Sequence, residues 1–123
     1  MDLIKERENK ALGSIQELRE ARMEARAMFK ALSSKIEPAP RREWQKRRNR
    51  LFIKINIKIS AYIEAIDDLS RALKHFLACN EEDKAKALKA VNKADSNFIK
   101  AHEDLEALAD EVEKEMGANN EKN

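Results

Sequence analysis

Cysteine, proline, glycine and aromatic residues are all scarce in this 123-residue chain: one Cys, two Pro, two Gly, and Phe, Trp and Tyr together at 5%. The lone Cys79 has no partner for an intramolecular disulfide, so a reducing compartment is expected. Gly13 and Gly117 stand far apart, whereas a phosphate-cradling loop needs closely spaced glycines, so P-loop and dinucleotide fingerprints are excluded. The same shortages leave little for tight turns or sheet surfaces. Ala, Leu, Ile, Glu, Lys and Arg fill most positions instead, which predicts long helices. Long apolar runs are missing too, because no stretch of more than six residues lacks Asp, Glu, Lys or Arg. A transmembrane helix needs about 20 apolar residues and a secretory leader needs an apolar segment of its own, so neither is expected and the cytoplasm is the expected location. At 14.2 kDa the chain is one ordinary domain.

Catalytic and metal-binding patterns are also lacking. Helical di-iron sites use Glu-x-x-His pairs, but Ala72 and Ile99 stand three residues before His75 and His102. His75 and Cys79 share one helix face at i, i+4, yet a structural zinc needs four ligands and the chain offers no further Cys and one distant His. A Cys79 nucleophile would lack both an orienting acid and an oxyanion hole. No metal, no cofactor and no enzymatic activity are therefore expected.

What is present is periodicity. Glu37-Pro38-Ala39-Pro40 must break a helix, because each proline removes a backbone donor and pushes its predecessor out of the helical region. Asn80, followed by Glu81, Glu82 and Asp83, is a helix start with acids at the positive end of the dipole. These signals predict helices over roughly residues 2–36, 40–78 and 81–116, with 117–123 a frayed tail after Gly117. In the second helix Phe52, Ile55, Ile59, Tyr62, Ile66, Leu69, Leu73 and Phe76 alternate three and four apart in a coiled-coil seam, with Trp44 upstream on the same face. In the third, Leu88, Val91, Asp95, Phe98, His102, Leu105, Ala109, Val112 and Met116 hold one phase. The first is weaker: one row is Ile4, Ala11, Leu18, Ala25 and Leu32, and its neighbour Glu8, Ile15, Arg22, Phe29 and Ile36 carries two charges. Ser14 and Glu17 have capping-box spacing next to Gly13, which raises the alternative that residues 2–12 form a separate short helix.

Helices about 45 to 57 Å long joined by short connections must lie antiparallel to their neighbours, so the expected fold is all-α, an up-down-up three-helix bundle. Within its seams Arg22, Asp95 and His102 are read as a structural polar layer, because an unpaired buried charge costs several kcal/mol; an Arg22 to Asp95 ion pair is one way to satisfy it.

Charge is segregated although the net charge is only +2. Residues 41–60 hold eight cations, Arg41, Arg42, Lys46, Arg47, Arg48, Arg50, Lys54 and Lys58, against Glu43 alone, a local +7, while residues 81–123 carry seven bases and twelve acids, a local −5. Six cations in the opening turns of a helix oppose its dipole, at about 0.3 to 1 kcal/mol each near the end, which points to an anionic partner. The plain alternative is internal pairing with the acidic third helix. Between these residues lies Ile53-Lys54-Ile55-Asn56-Ile57-Lys58-Ile59, an alternation that taken alone reads as a strand. Paired between two copies, such a strand would resemble the ribbon-helix-helix family of DNA-binding proteins, with Lys54, Asn56 and Lys58 as the side chains entering the major groove. The chain departs from that family in carrying helical phase unbroken from Phe52 to Phe76, with no glycine turn, and helix is the reading adopted. Ile53 and Ile57 then fall opposite the seam, an apolar centre with a basic border.

Two functions follow as expectations. The first is a non-enzymatic helical interaction protein that binds another protein through the basic segment and the Ile53/Ile57 face, with a homodimer as one form. The second is DNA or RNA binding through the +7 segment. Membrane-surface binding is not expected, because burying the seam leaves no wide apolar face.

Overall fold

In the computed structural model the chain forms three long helices, α1 (Leu3–Lys35), α2 (Arg42–Ala78) and α3 (Lys84–Glu121), with a single 3₁₀ turn at Glu81–Asp83 leading into α3. The structure describes the backbone of residues 2–35 and 42–121 and the side chains of residues 2–35 and 45–115. The proline break at 37–40, Ile36 and Arg41 lie outside the described residues, as do the side chains of Arg42, Trp44 and Met116 and tail positions 122 and 123.

The bundle is up-down-up. Ion pairs fix the directions: Lys54 meets Glu111 and Lys58 meets Asp104, so α2 and α3 are antiparallel. Glu8 meets Lys84 and Lys35 meets Glu113, so α1 and α3 are parallel. Helix α2 packs extensively against both others, while α1 and α3 touch each other far less. Its seam is accordingly the spine of the core, with Ile55, Ile66, Leu73 and Phe76 fully buried beside Leu105, Val91 and Val112 of α3. Each such side chain contributes about 1.5 to 3 kcal/mol relative to exposure.

Among the described residues there is no strand, and residues 53–59 lie within α2. The alternation of isoleucines therefore does not make a ribbon. With no second alternating segment to pair with, its backbone bonds are satisfied within the helix, and Ile55 and Ile59 are buried while Ile53 and Ile57 are not. Gly13 does not break α1 either: the helix runs through it, and Ser14 Oγ donates back to the Lys10 carbonyl at 3.1 Å instead of capping a new start. Asp2 is the actual cap, accepting from the Ile4 amide at 3.0 Å. At the far end α3 continues helical past Gly117 to Glu121, since a helical glycine costs only about 1 kcal/mol and no proline follows. Asn80 has the extended backbone of an N-cap without a side-chain capping bond, its carbonyl accepting from the Asp83 amide at 2.9 Å.

The seam of α3 keeps Val91, Leu105 and Val112 of the expected row and takes Ala87, Ala94 and Leu108 in place of their neighbours Leu88, Asp95 and Ala109. Ala87, Val91, Ala94, Leu105, Leu108 and Val112 are buried, Asp95 and Phe98 are half-buried, and His102 is exposed. Turning the helix this way presents small alanines to the core and lifts a carboxylate and an imidazole out of it, avoiding the cost of burying them. Among the described side chains the buried seam of α2 begins at Leu51, with Phe52 half-buried beside it.

Among the described residues one charged side chain is buried. The Lys84 side chain is only 7% exposed, and its ammonium donates to the carbonyls of Phe76 and, at 3.3 Å, of Leu77. It lies 3.4 Å from Glu8 and 5.0 Å from the centre of the Phe76 ring. A cation here closes the negative end of α2, satisfies carbonyls that have no intrahelical donor and ties α1 to the α2–α3 turn. Lys84→Met is expected to lower stability by about 1 to 3 kcal/mol, the cost of stranding those acceptors. Gly13→Ala is expected to raise it by about 1 kcal/mol, because nothing lies within 4 Å of the added methyl. Chemical denaturation of the two variants checks both signs; equal midpoints would contradict the assignment.

Candidate interaction surface

The basic segment occupies the first half of α2, and the structure sorts its cations into three settings. Lys54 and Lys58 turn toward α3, 2.7 Å from Glu111 and 3.8 Å from Asp104. These pairs are about half exposed, so each is worth at most about 1 kcal/mol. Internal pairing thus accounts for part of the block. Arg47 lines a recess between α2 and α3 with Asp110, Glu111, Lys114 and Glu115 and makes no ion pair with any described residue. Arg48 lies back over the Phe52 ring one turn on, 5.5 Å from its centre, with its Nε buried and without a hydrogen-bond partner. Lys46 and Arg50 are exposed and make no ion pair with any described residue.

Ile53 and Ile57 stand on the same outward side as Lys46 and Arg50, each 59% exposed. An isoleucine normally buries most of its surface, so two in adjacent turns form an apolar spot instead of a scattered one. Beside Ile57 the small side chains of Ala61, Ala65 and Ala101 leave a shallow groove between α2 and α3, bordered on α2 by Lys58, Glu64 and Asp68 and on α3 by Asn97, Lys100 and Asp104. Further along α2 the outward charge is therefore negative.

The expected polar layer is not assembled. Arg22 Nε lies 3.3 Å from Asp67 of α2, so it pairs there and not with Asp95. The same nitrogen is buried and lacks a hydrogen bond of good geometry, which makes the contact electrostatic. Asp95 borders a small recess with Arg7, Ser14 and Glu17, and His102 sits outside the core, 3.4 Å from Glu106 and with its ring 5.7 Å from that of Tyr62. Lys84 is the polar core residue that the sequence reading missed. The signal was there: Lys84, Leu88 and Val91 follow the four-three spacing of the seam.

Among the described residues no group of three or more His, Cys, Asp or Glu is placed to hold a metal ion. No helix is long and apolar enough to cross a membrane. No family model, curated protein or solved structure matches this chain.

Tyr62 reports on the opposite, buried side of α2. It stacks on Phe98 at 5.5 Å, and burial, together with Glu24 and Glu106 on the two flanking helices, raises its phenol above the ordinary 10.0. The folded state therefore holds the proton more tightly than the unfolded chain does. Stability from this group is complete below pH 10 and is lost as pH rises toward the folded value. Because Tyr62 is the only tyrosine, tyrosinate absorbance isolates it. Its midpoint is expected above 10 in the native protein and near 10 in denaturant; identical midpoints would contradict its burial.

Proposed function

We propose that this protein is a non-enzymatic helical interaction module that binds another protein through the outward face of α2. The observation that carries the reading is Ile53 and Ile57, exposed on a folded helix whose seam is already filled, next to Lys46 and Arg50, which no described carboxylate neutralises. Apolar area supplies affinity in such a contact, and unpaired rim charges supply orientation and speed of association. A partner suited to this face is apolar at its centre and acidic where it meets Lys46 and Arg50.

A second reading, a DNA or RNA partner, is favoured by the same unpaired cations together with Arg47 and Arg48. Pairing of Lys54 and Lys58 within the bundle reduces the number of phosphate contacts available to it. Affinity capture compares the wild type with Ile53→Asp and with Lys46→Glu/Arg50→Glu, while duplex DNA and RNA are titrated between about 50 and 200 mM salt. Capture of a protein is expected to weaken about tenfold or more in both variants, a loss of about 1.4 kcal/mol or more, with helicity unchanged. Tight nucleic-acid binding that falls steeply with salt and ignores Ile53→Asp would replace the first reading with the second.

A further inference from the structure

The outward strip of α2 has an internal symmetry. Lys46 and Arg50 stand eleven and seven residues before Ile57, and Glu64 and Asp68 stand seven and eleven residues after it. Ile53 and Ala61 flank it at four. With about 100° per residue, all seven positions lie within about 40° of one line along the helix, over about 33 Å. All seven are exposed. Lys46, Arg50 and Glu64 make no ion pair with any described residue, and Asp68 is held only by Arg71 one turn along its own helix, an exposed pair of little worth.

We propose that the occupant of this strip is a second copy of the same chain, docked antiparallel about a two-fold axis at Ile57. The inference rests on the interaction reading above and names its partner. In this arrangement each strip reads basic, apolar, acidic against acidic, apolar, basic. Arg50 faces the partner's Glu64, Lys46 faces the partner's Asp68, and the two Ile57 side chains meet at the axis. The partner's Ile53 lies opposite Ala61, where the groove floored by Ala61, Ala65 and Ala101 has room for a branched side chain. Parallel docking sets cations against cations and acids against acids, so charge selects the antiparallel form. A closed two-fold contact also uses one patch twice, and a self-complementary patch is what such symmetry requires.

Light-scattering mass over a wide concentration range tests this directly. The wild type is expected to approach twice 14.2 kDa, and Ile53→Asp to remain a folded monomer. Arg50→Glu and Glu64→Arg are each expected to weaken the dimer at least tenfold, because each sets like charges together at two symmetric contacts. Mixing these two variants is expected to restore a dimer, as is combining them in one chain, since both cases recreate opposite charges at every contact. A dimer indifferent to either swap, or one that the mixture does not restore, would overturn the proposed docking. A monomeric wild type that still captures a protein lost on Ile53→Asp would overturn self-association and leave the interaction reading standing. A monomeric wild type without such capture would remove both.

Discussion

One helix carries the bundle. The seam of α2, from Leu51 to Phe76, supplies the apolar surface on which α1 and α3 both pack, and those two have little contact with each other. Everything else follows from satisfying that seam. The flanking helices turn a row of apolar, uncharged residues toward it, their acids end up at its edges, and no described residue covers Ile53 and Ile57 on its opposite side. Lys84 closes the arrangement at one end, holding the carbonyl terminus of α2 and Glu8 of α1 with one buried cation.

The fold was legible because periodicity is a long-range signal read locally. Eight residues of α2 at three-four spacing identify helix, face and partner count more strongly than the β-branched alternation of residues 53–59, which lasts only seven positions. What was not legible depends on choices between nearly equal options. In α3 two neighbouring rows are both partly apolar, and the desolvation cost of Asp95 and His102 decides for the row with Ala87, Ala94 and Leu108. In α1 the glycine and the capping-box spacing around Ser14 signal a break locally, but packing of Ala11, Ile15 and Leu18 outweighs about 1 kcal/mol of propensity.

The candidate surface was legible in composition and less so in detail. Eight cations on one segment mark it as unusual, but sequence alone does not say which of them have neighbours. Lys54 and Lys58 lie at the edge of the seam within reach of α3 carboxylates, whereas Lys46 and Arg50 lie on the line of Ile53 and Ile57, away from both other helices. That sorting turns a diffuse +7 segment into a strip with an ordered charge sequence, basic then apolar then acidic. Register along the bundle likewise decides the partner of Arg22, which is Asp67 and not Asp95.

Helix α2 has two apolar faces with opposite roles, one holding the fold and the other turned outward. Ile55 and Ile57 are two residues apart and chemically identical, yet one is fully buried and the other 59% exposed. Thermal unfolding of Ile55→Asp and Ile57→Asp compares the faces directly. Ile55→Asp is expected to lose cooperative unfolding, because it drives a charge into the core, and Ile57→Asp is expected to keep the stability of the folded monomer within about 0.5 kcal/mol. Equal destabilisation by the two, or unfolding by Ile57→Asp alone, would contradict the account.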